Sequence, residues 1–236
     1  MSGRTFGTME ALRIPAACLL LAIIGLAGCA SGPRQPELGP GESFDGLRQV
    51  TNARVSGAWI RPDLDLSGYA RILPMNAGVE YRPVKAVGLG PASSRSVFPI
   101  PAENRAKFEA LVSDVFREEL GKSQRFTLAT EPGPDVLTIT GAVIDVISNV
   151  PPESVGRGDV YLSKVGEATL VLELRDSESN TVLARMADRR AADKIGGMTW
   201  SNPVSNTAEV RRLIRAWATL LRDWLDAVPS LTPADD

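Results

Sequence analysis

Twelve consecutive residues near the start of the chain, Ala16 to Ala27, contain no charged or hydrogen-bonding side chain beyond a single thiol, and they decide how much of the 236-residue sequence is available to fold. A helix that crosses a bilayer needs about 20 apolar residues, so this run is too short to span one. It also lacks the polar positions at a 3.6-residue period that mark a helix packed on a soluble core. With Arg4 and Arg13 ahead of it and small residues at its end, it has the basic, apolar and cleavage regions of a secretion signal. The folding unit is therefore expected wholly beyond residue 28.

The run closes on Leu26-Ala27-Gly28-Cys29, which resembles the lipobox of bacterial lipoproteins. The resemblance implies cleavage before Cys29 and lipid attachment to it. Acyl chains contribute about 0.8 kcal/mol per buried methylene, so more than one makes a durable membrane anchor. Residue 30 is alanine, not aspartate, which in the Gram-negative sorting pattern implies an outer-membrane location, facing the periplasm. Cys18 would leave with the signal and Cys29 would be acylated, so neither of the two cysteines is free for a disulfide. The fold must then rest on packing alone.

No histidine occurs anywhere in the chain. That removes the commonest general base, the commonest metal ligand and every Ser-His or Cys-His arrangement. Losing Arg4, Arg13 and Glu10 with the signal makes the formal net charge one unit more negative than −2, which excludes a strongly basic nucleic-acid binder. Glu118 and Glu119 are neighbours on a helical pattern and point about 100° apart, the signature of solvated surface rather than an acid/base pair. No phosphate-cradling glycine motif and no metal-ligand spacing is present, so no catalytic residue, metal or cofactor is expected.

Beyond Cys29, residues 30–43 are rich in proline and glycine and read as a flexible spacer. Residues 44–65 follow neither periodicity and read as an irregular lead-in with one short strand. A first core strand is expected over Tyr69–Met75, stopped by Pro74, and a long loop over Asn76–Pro101. Apolar residues at spacings of three and four predict a helix over Glu103–Lys122. A strand over Arg125–Thr130 then suggests a parallel crossover. Val136–Ile147 is a long branched strand in which Gly141 suggests a bulge, and Ser148–Asp159 is a flexible stretch. Val160–Arg175 and Thr181–Ala192 form a hairpin about Asp176–Asn180. Gly196–Pro203 is a loop. Asn206 and Glu209 suggest a capping box for a last helix ending at Val228, followed by a frayed acidic tail over residues 229–236.

Several short motifs carry a family resemblance. Pro132-Gly-Pro-Asp-Val-Leu137, Gly166-Glu-Ala-Thr-Leu170, Leu174-Arg-Asp-Ser177, Val182-Leu-Ala184, Arg215-Ala-Trp-Ala218 and Leu225-Asp226 resemble DUF3313, a bacterial lipoprotein domain of unknown function. The similarity runs from Phe44 to Val228. Where relatives carry glycine in the hairpin turn this chain has Ser179-Asn180, and asparagine tolerates the same left-handed backbone. The resemblance implies a location and a domain shape, and brings no activity or catalytic residues.

Two surface features remain as candidate contact sites. Arg211, Arg215 and Arg222 line up beside the apolar stripe of the last helix, either as a solvated flank covering the core edge or as a contact for an acidic partner or lipid headgroups. Met198 and Trp200 lie in a glycine-flanked loop, where the ring either folds back or anchors a partner. The expected architecture is a two-layer α/β sandwich, a mixed sheet of about five strands with two amphipathic helices on one face. The expected role is a non-enzymatic, membrane-anchored module that binds another envelope component, an envelope protein above all. The alternative is a carrier or sensor of a small apolar ligand, with residues 76–101 as lid.

Overall fold

The computed structural model describes residues 36–84, 97–152 and 159–228. The segment expected to be a signal peptide, Cys29, most of the expected spacer and the acidic tail lie outside the described residues. The elements in chain order are β1 (Leu38–Glu42), β2 (Arg48–Val50), β3 (Gly57–Ile60), β4 (Arg71–Tyr81), α1 (Ala102–Leu120), β5 (Thr127–Leu128), β6 (Val136–Ser148), β7 (Tyr161–Leu162), β8 (Lys164–Asp176), β9 (Val182–Asp193), β10 (Thr199–Trp200) and α2 (Pro203–Ala227). Eight strands form one mixed sheet in the order β1-β2-β3-β9-β8-β6-β4-β5, and β7 pairs with β10 in a separate two-stranded ladder. β4 runs parallel to β5 and β6, as the strand–helix–strand order requires, and the other neighbours are antiparallel.

The alternation in β8 shows how the core is assembled. Ala168, Leu170, Leu172 and Leu174 are buried, while Glu167, Thr169, Val171 and Glu173 between them are only partly covered. Ile72, Ile139, Val143 and Ile60 join the buried set from the neighbouring strands. Val112, Val115 and Leu120 of α1 and Ile214, Trp217, Leu221 and Leu225 of α2 close over them in one core. Each large apolar side chain so buried contributes about 1.5–3 kcal/mol, which lets the domain stand on packing alone.

The sheet is wider than the expected five strands, and the excess comes from residues whose composition hides it. Leu38–Glu42, within the stretch read as spacer, is strand β1, and the irregular lead-in supplies two strands, β2 and β3. All three are short and lie at one edge of the sheet, where few residues carry a pattern. β4 does not stop at Pro74. β5 pairs only with Arg71 and Ile72, so beyond them β4 has one free side and a residue without an N–H costs no ladder bond. The bulge expected at Gly141 lies opposite it: Asn76 pairs Gly141 and Gly78 pairs Ala142, leaving Ala77 as the extra residue. β5 is also shorter than the expected Arg125–Thr130 strand.

The last helix begins earlier than the Asn206–Glu209 signal suggests. Asn202 is the cap: its side chain accepts from the Ser205 N–H (2.9 Å), the Ser205 hydroxyl accepts from the Asn202 N–H (3.4 Å), and Pro203 occupies the first turn. Proline there lacks only a donor that no helix start can use. At the other end of the sheet the β8–β9 hairpin turns through Asn180, whose φ of 58° is the left-handed conformation expected of that position.

Candidate contact surface

One end of the sheet gathers the C-terminal ends of β4, β6 and β9, the start of β8 and the start of α2. Lys164 pairs with Asp193, Ser148 pairs with Gly166, and the Lys194 N–H donates to the Ser163 carbonyl (2.9 Å). Gly166 fits this junction because a Cβ there would lie 2.2 Å from the Ile147 carbonyl oxygen. Past Asp193 the chain turns through Gly196 and Gly197, both at positive φ, and returns as β10 against β7, with Trp200 opposite Tyr161. The Ser201 N–H then donates to the Val160 carbonyl (2.7 Å), which joins the ladder to the cap of α2.

This turn carries its apolar side chains outward. Tyr161, Ile195, Met198, Trp200 and Val204 are all between 53% and 81% exposed. Beneath them Lys194 is only 5% exposed, and its ammonium donates to the Trp200 carbonyl (3.2 Å) and the Ser205 hydroxyl (2.8 Å). No carboxylate pairs with it among the described residues. Burial holds this amine below the ordinary lysine range. The aromatic tip is thus held from below by a polar strut, with the apolar surface outside and the charge inside.

The three arginines of α2 separate. Arg211 is exposed and has no hydrogen bond or ion pair among the described residues. Arg215 Nε donates to Glu119 Oε1 (3.1 Å) and Arg222 Nη1 to Glu119 Oε2 (2.9 Å), so both close on α1. Lys122 Nζ adds a third cation at 2.8 Å. Glu119 is therefore not solvated surface: it is 4% exposed and joins the two helices. The Lys122 hydrogen bond, and then the charges of Arg222 and Arg215, hold its carboxyl below the usual range despite burial. Glu118, its neighbour in sequence, stays about half exposed beside Lys122.

Two further polar sites were not visible in the sequence. Asp188 lies on the core side of β9 and accepts from Trp217 Nε1 (3.0 Å), the Ser56 N–H (3.0 Å) and Arg190 Nε (2.5 Å). An aspartate paired across the ladder with the buried Leu170 is the one available sequence-level sign of it. On the open face, Asp145 stands at a β6 bulge with φ of 56° and accepts from Arg82 Nε (2.6 Å) as well as from Arg189. Chiefly through Arg82, its carboxyl is pulled down to about 2. Ion pairs of this kind fix strands and leave no free acid or base.

Beneath α1, Val112, Phe116, Leu120, Ile139, Gly141 and Leu172 line a cleft of about 140 Å³, and Tyr81, Arg82, Phe98, Ile100, Arg105 and Val146 line a second of about 280 Å³. Ligand pockets for small molecules run to about 300–1,000 Å³. No group of three or more His, Cys, Asp or Glu residues placed to hold a metal occurs among the described residues. None of the described helices is long and apolar enough to cross a membrane.

A family model described as a protein of unknown function, DUF3313, matches residues 39–221. The chain belongs to DUF3313. The match includes β1 and nearly all of the sheet, and it leaves out the last turns of α2. No curated protein matches this DUF3313 member. Among solved structures it is similar to protein XCC0632 from Xanthomonas campestris at 14% identity, covering 74% of this chain and 91% of that one with a TM-score of 0.40. It is also similar to a putative neuraminyllactose-binding hemagglutinin homolog from Helicobacter pylori at 13% identity, covering 69% and 88% with a TM-score of 0.36. A minor lipoprotein from Acinetobacter baumannii is similar at 11% identity, covering 68% and 97% with a TM-score of 0.27.

Proposed function

We propose that this DUF3313 member is a lipid-anchored, non-enzymatic module of the bacterial envelope, held at the outer membrane on the periplasmic side, that works by touching another envelope component. The observation that carries this reading is the outward-facing set Tyr161, Ile195, Met198, Trp200 and Val204 on a support of cap, ladder and buried lysine. A soluble domain gains nothing in its own stability from leaving two aromatic rings in water, and an exposed apolar patch marks a contact. The secretion layout and Cys29 support the anchor. The polar clusters support the absence of chemistry, since Glu119, Asp188 and Asp145 are each saturated by cations or N–H donors.

A photo-crosslinking residue at Met198 in intact cells tests the contact, with Ser179 at the far hairpin as control. Adducts from position 198 and none from 179 are expected. Equal labelling at the two positions, or none at 198, removes the reading. The apolar-ligand alternative has the cleft beneath α1 in its favour. Yet that cleft is about the size of a cavity that holds benzene, and the larger one beside Tyr81 is lined in part by Arg82 and Arg105, which does not favour an apolar ligand.

A further inference from the structure

The register of the sheet fixes where the chain enters the domain. The Glu37 N–H donates to Asn52 Oδ1 (3.1 Å) and the Thr51 N–H donates to the Glu37 carbonyl (2.8 Å), so the chain joins the domain beside the β2–β3 connection. Gln49 pairs with Trp59 and Trp59 with Arg185, which puts this junction level with the middle of β9. Ser56, at the end of the same connection, donates to Asp188 through both its N–H and its hydroxyl. β9 then runs on from Ala187 to Asp193, ~20 Å further at strand rise, and delivers the chain to the Ile195–Trp200 turn. β1 runs antiparallel to β2, and β2 runs the same way as β9, so Glu37 lies at the end of β1 toward which β9 runs on, and the chain enters the domain from the side of the apolar tip.

Seven residues, Ala30 to Pro36, separate Cys29 from Glu37. Fully extended they reach at most ~25 Å. The tip projects beyond the junction by nearly that distance, so a domain hanging from an acylated Cys29 with this end toward the bilayer brings Trp200 to the headgroups. The side chains presented there are those that favour a membrane–water boundary: two amphipathic rings, Tyr161 and Trp200, and three aliphatic groups, Ile195, Met198 and Val204. Of the ionised side chains flanking the turn, Asp159 and Asp193 are acidic and exposed, while Lys164 and Arg212 are each paired with a carboxylate, Glu167 and Glu209, so attraction to anionic headgroups is not the source of contact. We propose that the Tyr161/Ile195/Met198/Trp200/Val204 tip inserts into the interface of the same bilayer that holds the anchor, as a second, apolar contact that orients the domain.

The proposal rests on the anchored reading above, and one experiment separates the two. The full protein, processed in bacteria and purified in detergent, is weighed by mass spectrometry and reconstituted into phosphatidylethanolamine vesicles with and without brominated acyl chains. Tryptophan emission is expected to fall in the brominated vesicles, the fall being lost in Trp200→Phe and unchanged by added salt. Trp200 is also expected to lose its access to iodide on reconstitution. Acylated protein whose emission is the same in both kinds of vesicle overturns the docking and leaves the anchor standing. A Trp200 that becomes shielded only when envelope proteins are added overturns it in favour of a protein partner. A mature chain without acyl mass at Cys29 removes the anchor and the docking together.

Discussion

The two halves of α2 treat charge in opposite ways. Around its first turn a cation, Lys194, is buried without a carboxylate while aromatic and aliphatic groups face water. Half-way along, two carboxylates are buried against it, Glu119 of α1 and Asp188 of β9, and each is ringed by donors while Ile214, Trp217, Leu221 and Leu225 are enclosed in the core. The second arrangement serves the fold, because a buried anion with several donors ties helix to helix and helix to strand. The first adds little to stability and gives away apolar surface, which is what a contact site does.

That contrast can be broken by substitution. The largest effect is expected at Asp188: Asp188→Ala leaves the Trp217 N–H, the Ser56 N–H and Arg190 without their acceptor and should destabilise by about 3 kcal/mol. A urea midpoint close to that of the parent protein would show that the site is not structural. Glu119→Gln should cost about 2 kcal/mol, below the 3–5 kcal/mol of a fully buried pair, because Arg215 and Lys122 are nearly half exposed and can rehydrate. Arg215→Ala should lose less than Glu119→Gln, since Arg222 and Lys122 remain.

The same two regions should separate in pH. Folding lowers the affinity of Glu119 for its proton, so its contribution is complete above the unfolded carboxyl value of about 4.3 and disappears as pH falls through the lower folded value. Burial lowers the affinity of Lys194 as well, so the unfolded chain holds that proton more tightly and stability rises as pH climbs toward about 10.4. Unfolding midpoints against pH should therefore fall less steeply in acid in Glu119→Gln, where Asp145 and the other paired carboxylates still contribute, and rise less toward alkaline pH in Lys194→Met. The smallest change is expected at the tip: Trp200→Ser should leave stability within about 0.5 kcal/mol while abolishing the Met198 crosslink. A loss of 2 kcal/mol or more there would make Trp200 part of the core and end the contact reading.

Much of the central sheet and both helices could be read from side-chain order, because β6, β8 and β9 are long enough for alternation to speak and both helices repeat at three and four residues. The edge could not. Leu38-Gly-Pro-Gly-Glu42 has one apolar side chain, and what makes it a strand is the Arg48–Val50 partner beside it. The start of α2 was legible in principle, since Asn202-Pro203-x-Ser205 is a capping sequence, but Pro203 reads equally well as the end of a loop. Glu119 and Arg215 are far apart in sequence, so no local rule could turn a solvated pair of glutamates and a row of arginines into one clamp. Met198 and Trp200 were legible as a glycine-flanked pair, whereas Tyr161, Ile195 and Val204 join them only through the β7–β10 ladder and the cap.

The position of β1 has a mechanical consequence. It is an outermost strand with two registered positions, Leu38 opposite Val50 and Glu42 opposite Arg48, and its Pro40 lacks a donor. Tension arriving through residue 36 falls on this strand first, and so little pairing yields, with only Leu38 leaving the edge of the core, before the side chains beneath the helices move. Freeing residues 36–42 would add ~23 Å of chain while Leu47 and Ile60 stay packed, so on the proposed anchored reading the globule can be drawn away from the bilayer and settle back without unfolding.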